Sequence, residues 1–152
     1  MKNEKLDSFK VIGISVRTTN ENNKSAKDIA ELWAKFMKEG IVDKIPNKID
    51  ASIYSIYTEY ESDYMKPYTI ILACRVKSLD NIPEGMIGKY IDGGEYVKFS
   101  AKGDLTKGAV IEEWTKIWQT DLNRAYSADF EIYGKKAQSP SDAEVDIFVA
   151  VD

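Results

Sequence analysis

The sequence predicts an α+β domain: duplicated βαββ units with pseudo-twofold symmetry, forming a six-stranded, mostly antiparallel curved sheet packed on two main helices. Three observations carry that expectation. Two stretches, about 9–78 and about 86–152, read in the same order of strand, helix, strand, strand. A shift of 81 positions lays Glu31, Trp33 and Lys35 on Glu112, Trp114 and Lys116, and Gly13, Val16 and Arg17 on Gly94, Val97 and Lys98. A shift of 76 lays Ile56 and Tyr57 on Ile132 and Tyr133, and Ile71 on Ile147; a longer loop in the first half absorbs the difference of 5. A repeat of this size cannot bury its apolar face alone, so two copies must pack together. The seam between them is a natural place for a pocket.

Each element has its own signal. Lys10 to Arg17 is rich in β-branched residues and reads as the first strand. Ser25, with Asp28 three residues on, resembles a capping box and starts a helix. Its apolar residues Ile29, Leu32, Trp33, Phe36 and Met37 fall at i, i+3, i+4, i+7 and i+8, an amphipathic stripe, and Gly40 ends it. Ser52–Glu59 and Tyr68–Val76 form a hairpin whose connection runs from Tyr60 through Asp63, Tyr64 and Met65 to Pro67. In the second half one strand runs from Tyr90 to Ala101, with Gly93-Gly94 read as a bulge. The second helix carries Val110, Ile111, Trp114, Ile117, Trp118 and Leu122 on its apolar side. A last hairpin joins Ala128–Lys135 to Glu144–Val151, where Val145, Ile147, Val149 and Val151 share the core face.

Composition excludes several classes of function. The 152 residues are 43% hydrophobic and 30% charged, which is the balance of one globular domain. No apolar run is long enough to span a bilayer, and the N-terminal residues lack a signal-peptide core, so a cytoplasmic location is expected. A net charge of −4 without a basic stripe argues against direct nucleic-acid binding. The chain has no histidine, which removes the commonest general base and the commonest metal ligand. Glu59, Glu61 and Asp63 hint at a calcium loop, but Tyr64 and Ile70 stand where an EF-hand needs glycine and glutamate. No metal or cofactor is expected. Cys74, the single cysteine, lies in an apolar run and reads as a buried, inert thiol.

Glu131 is the residue to single out. It lies in the strand pattern 129–133, and period 2 puts it on one face with Asp129 and Tyr133. Two readings stay open: a solvated strand face, or a carboxylate pointing into a cavity beneath the tryptophan helices. In the second reading, burial would raise its pKa and an organic cation would restore a charge partner. Aromatic faces around it would add cation–π attraction of about 0.5–2 kcal/mol each. Trp33, Trp114 and Trp118 lie on helix stripes, and Tyr54, Tyr57, Tyr96 and Tyr133 on strands flanking the seam. Ordinary core packing is the commoner role of such helix stripes and also accounts for the tryptophans.

The duplicated layout, Ile82-Pro83-Glu84-Gly85, Tyr96-Val97-Lys98-Phe99, the helix with Trp114 and Trp118, and Asp129-Phe130-Glu131-Ile132-Tyr133 together resemble the gyrase-inhibitor-like effector-binding domains. These serve as ligand domains of AraC-type and MerR-type multidrug regulators and also occur alone. Phe9-Lys10-Val11-Ile12-Gly13 and Tyr60-Glu61-Ser62-Asp63 are similar to the stand-alone branch that includes integron-cassette effector-binding proteins. The resemblance implies a drug-sized pocket between the repeats, with a glutamate that maps onto Glu131. It places the aromatic wall at Trp114 and Trp118, with Trp33 and Phe36 opposite; Tyr57, Tyr96 and Tyr133, on the strands that flank the seam, complete the expected ligand-binding set. The function it implies is binding of amphipathic, cationic small molecules, without a DNA-binding domain in this chain. It leaves room for a separate regulatory protein partner and for a homodimer. Two alternatives accompany it. One is a hydrolase of strained electrophilic natural products, with Glu131 as general base and Tyr133 or Tyr96 as donor. The other is a protein-binding inhibitor, such as a topoisomerase inhibitor.

Overall fold

The computed structural model describes residues 2–62 and 66–152. Met1, and Asp63, Tyr64 and Met65 of the expected hairpin connection, lie outside the described residues. The strands are β1 (Lys2–Leu6), β2 (Phe9–Thr18), β3 (Ile53–Thr58), β4 (Tyr68–Val76), β5 (Ile87–Ile91), β6 (Gly94–Gly103), β7 (Ala128–Tyr133) and β8 (Ala143–Ala150). The helices are α1 (Lys24–Lys38), a one-turn α2 (Ile41–Lys44) and α3 (Ala109–Gln119). All eight strands join one antiparallel sheet in the order β1-β6-β8-β7-β3-β4-β2-β5.

The sheet therefore has eight strands where the sequence pattern predicts six. Both extra strands lie at its edges. β1 is Lys-Asn-Glu-Lys-Leu, whose charges hide it from a hydrophobic-pattern reading and suit an edge strand. The expected Tyr90–Ala101 strand spans the end of β5 and most of β6. The structure breaks that run at Asp92-Gly93: β5 pairs with β2, and β6 pairs with β8 and β1. Gly93 is a corner and not a bulge. A Cβ there would lie 2.5 Å from the Leu6 carbonyl oxygen and 2.7 Å from the Ser8 nitrogen, because the β1–β2 turn passes against it.

The start of α1 also differs from the expected capping box. A single 3-10 turn at 21–23 runs straight into the helix, with Asn22 and Asn23 at φ 54° and 58°. Ser25 thus lies inside the helix, and Asp28 pairs with Lys24 at 2.6 Å.

One face of the sheet carries an aromatic cluster that includes Phe9, Tyr54, Tyr96, Phe130 and Phe148 and contains no helix residue. Phe9 on β2 and Phe130 on β7 have ring centroids 5.3 Å apart although two strands lie between them. Three strand spacings amount to about 14 Å in a flat sheet, so the sheet curls towards this face. The other face carries the helices. Leu32 and Phe36 of α1 pack on Ile12, Ile14, Ile70 and Leu72 of β2 and β4. Trp114 and Ile117 of α3 pack on Ala101, Val145, Ile147 and Val149 of β6 and β8. Each helix covers one half of the sheet, and the central β3–β7 pair forms the floor between them.

β2 and β4 approach closely at Gly13, whose missing Cβ would stand 2.0 Å from the Leu72 carbonyl oxygen and 2.6 Å from Ala73 Cα. The contact is with backbone and cannot be relieved by a rotamer change. Gly13→Ala is expected to lower the unfolding free energy by about 3 kcal/mol in urea titration. An unchanged midpoint would mean that the two strands stand farther apart.

Candidate functional site

β3 and β7 pair antiparallel with Ser55 directly across from Glu131. Alternation along the two strands sends Tyr54, Ile56 and Phe130 to the aromatic cluster and Tyr57, Glu131 and Tyr133 to the helix side. Glu131 is only 2% exposed, so it does not sit on a solvated strand face. Its Oε2 accepts hydrogen bonds from Tyr57 Oη at 2.8 Å and from Trp114 Nε1 at 2.6 Å. Its Oε1 accepts one from Tyr133 Oη at 2.6 Å. Burial pushes the Glu131 carboxyl above its ordinary pKa, and the Tyr133, Trp114 and Tyr57 donors partly oppose that rise. Burial, together with the neighbouring carboxylate, also raises Tyr57 and Tyr133, which keeps both phenols protonated as donors.

Two tryptophan–tyrosine pairs flank this carboxylate. Trp114 meets Tyr57 edge-on, with centroids 5.5 Å apart and planes at 70°. Trp33 meets Tyr133 in the same way at 5.0 Å and 77°. Beyond each pair a hollow opens, the first between α1 and α3 and the second beside α1, against Leu105 and the 134–140 segment. The first, of about 530 Å³, is walled by Tyr57, Tyr60, Tyr68, Trp114, Trp118 and Arg124. The second, of about 930 Å³, is walled by Trp33, Met37, Ile53, Leu105 and Tyr133. Glu131 lines neither hollow; its three donors stand between it and the open space.

The expected site residues are thus only partly brought together. Trp114, Tyr57, Tyr133, Trp33 and Trp118 surround Glu131 or the hollows beside it. Trp118 remains 38% exposed and Ile111 57%, so the apolar side of α3 extends past the core and over the first hollow. Phe36 is buried beneath α1 in the core, with its ring centroid 6.3 Å from that of Trp33. Tyr96 does not belong to the site. It lies in the aromatic cluster on the opposite face, against Phe130 and with its hydroxyl on the Asp92 carbonyl, because its strand position has the opposite parity.

Arg124, Asp129 and Tyr60 were not singled out by the sequence pattern, yet they form a buried network at the first hollow. Asp129 accepts from Arg124 Nη2 at 2.7 Å, Tyr60 Oη at 2.5 Å and the Ala150 amide at 2.8 Å. Tyr126 stacks on the guanidinium at 4.4 Å. Arg124 lies on an irregular connection with no periodicity, and Tyr60 is 69 residues from Asp129, so no local signal joins them. Cys74 is fully buried and its thiol is pushed up to about 11 by burial, as an inert core residue. Among the described residues no cluster of acidic or cysteine side chains is arranged to hold a metal, and no helix is long and apolar enough to cross a membrane.

The sign of the Glu131 effect on stability follows from its raised pKa. A carboxyl whose folded pKa exceeds the unfolded value stabilises the protein below the unfolded pKa, and loses that contribution as pH rises through the folded one. Glu131→Gln removes this dependence while leaving an acceptor for Trp114. Thermal melts should therefore show the variant gaining on the parent as pH rises from 5 to 8. A gap between the two that stays constant over that range would show an unperturbed carboxyl.

A family model described as integron-associated effector binding protein matches residues 4–151. An integron cassette protein from the mobile metagenome of Vibrio cholerae has a similar solved structure, with TM-score 0.76 and 32% identity over 99% of this chain and 95% of that one. The structure of SAV2435 bound to tetraphenylphosphonium shares the fold, with TM-score 0.80 and 18% identity over 99% of this chain and 93% of that one. A Bacillus subtilis (strain 168) protein named as a candidate transcriptional regulator, YobU, is 27% identical over 150 residues, 96% of this chain and 94% of its own. With 4–151 of its 152 residues matched, the chain belongs to the integron-associated effector binding protein family, as a gyrase-inhibitor-like effector-binding domain.

Proposed function

We propose that this protein binds amphipathic organic cations in the groove between α1 and α3, with Glu131 as the charge that selects them. The observation that carries the reading is an enclosed carboxylate whose hydrogen-bond donors, among the described residues, are two phenols and one indole. No cationic side chain is among them. Cations approaching either hollow meet aromatic faces first and the carboxylate behind them. Apolar side chains left exposed at the rims, Ile111, Trp118 and Met37, supply surface for a lipophilic ligand. A small-molecule effector role agrees with the family to which the chain belongs. The solved relative with tetraphenylphosphonium bound supports the cationic class for this chain.

The order of strands supports reading the two halves as a duplicated pair. Exchanging β1 with β5, β2 with β6, β3 with β7 and β4 with β8 reverses the sheet order without otherwise changing it. In this reading Ser55 and Glu131, which the shift of 76 equates, face each other on the local axis.

Binding is favoured over hydrolysis. A general base needs a lone pair directed at a reachable water, and three donors already hold this carboxylate behind aromatic rings. We place the protein in the cytoplasm, sensing or sequestering such cations, with a regulatory protein as a separate partner.

Tetraphenylphosphonium should quench tryptophan emission at micromolar concentration. Its affinity should rise with pH as Glu131 ionises against Tyr57, Tyr133 and Trp114. Glu131→Gln should weaken binding by about tenfold or more, equal to about 1.4 kcal/mol. Equal affinity in parent and variant at pH 8 would refute the electrostatic part of the reading.

A further inference from the structure

Two hollows open on the helix side of the sheet, one between α1 and α3 and one beside α1, and the donors to the Glu131 carboxylate line them, Tyr57 and Trp114 the first and Tyr133 the second. We propose that the hollow behind Trp33 and Tyr133 is a second subsite for lipophilic organic cations, sharing Glu131 with the first so that only one is filled at a time. This rests on the cation-binding reading above and extends it to a site with two alternative berths.

The two sides share a tyrosine–tryptophan pair, and on the first side Trp114 also donates to Oε2. Each hollow is separated from the carboxylate by a tyrosine that donates to it, Tyr57 to Oε2 and Tyr133 to Oε1. Each tyrosine is braced edge-on by the tryptophan of the adjacent helix. A cation lodged against either pair is therefore one phenol away from a carboxylate oxygen, and rotation of that phenol would open the contact. The second hollow, at about 930 Å³, is the larger of the two and can take a drug-sized ligand. Met37, 63% exposed, offers an adaptable apolar wall there. Asp50 and Lys135 place one charge of each sign along the rim of this hollow.

Exclusivity follows from electrostatics. A buried carboxylate neutralises one monovalent cation. A second cation in the other hollow would be desolvated without a partner and would face a like charge across the same aromatic floor.

The test uses tetraphenylphosphonium and calorimetric titration of the full chain. Ala26 lines the first hollow and Ala51 the second, and both are exposed positions where a large side chain fills space without disturbing the core. The parent should bind one equivalent. Ala26→Trp should still bind one equivalent, weakened by no more than about tenfold, and Ala26→Trp with Ala51→Trp should bind at least about a hundredfold more weakly than the parent. In the unsubstituted chain, nuclear Overhauser contacts should join the phenyl protons of the probe to the Trp33 indole as well as to Trp114. Complete loss of binding in Ala26→Trp alone, loss in Ala51→Trp alone, two equivalents in the parent, or contacts to Trp114 without Trp33 would each overturn the shared second subsite. Absence of any binding to the parent would instead remove the cation-binding reading on which it rests.

Discussion

The carboxylate of Glu131 holds the centre of this molecule, and its three hydrogen bonds tie together parts that are distant in sequence. Tyr57 reaches it from β3, Tyr133 from its own strand and Trp114 from α3. A carboxylate taken out of water costs several kcal/mol unless it is paired or well bonded. Hydrogen bonds from neutral donors offset only part of that cost, which is why burial remains the dominant influence on its titration. The structure keeps in its interior an acidic group that a cation would stabilise. This contrasts with Asp129, two residues earlier on the same face, whose buried charge is met by Arg124 at 2.7 Å. One strand thus presents a carboxylate with an internal counter-ion and another without one.

The groove around Glu131 follows from how the helices are seated. Leu32 and Phe36 fix α1 on β2 and β4, and Trp114 and Ile117 fix α3 on β6 and β8. Tyr57 packs against both helix clusters and stands in the gap between them. On the reverse face, the aromatic cluster pulls strands from both halves towards one another. The sheet is stabilised from behind, so its helix side is free to leave space over the central strands. Binding surface of this kind is made of rings with one polar atom each, which tolerates ligands of varied shape.

Much of this was legible in the sequence, for physical reasons that can be named. The stripe from Ile29 to Met37 obeys helical periodicity because one face of α1 is buried, so the helix and its end at Gly40 were readable. The parity of 129, 131 and 133 was readable because strand geometry alternates strictly. Whether that face was wet or enclosed was not, since enclosure depends on Trp114, 17 residues away on a helix, and Tyr57, 74 residues away on another strand. The edge strand β1 was hidden by its charges, and the β5–β6 corner by a glycine pair that serves a bulge equally well. Nearness to the seam says nothing about which face a strand position turns to the helices, and Tyr96 turns away from them. Arg124 carries no sequence signal because its contacts with Asp129 form through the tertiary fold.

The central claim is that Glu131 is an enclosed acid whose ionisation is coupled to the arrival of a cation. Carbon-13 chemical shifts of the Glu131 side-chain carboxyl, followed against pH with and without tetraphenylphosphonium, test it directly. The account predicts a pKa above the ordinary glutamate range in the free protein and a fall when the cation is bound. A free-protein value in the ordinary range, or one that does not move on saturation with the cation, would contradict it.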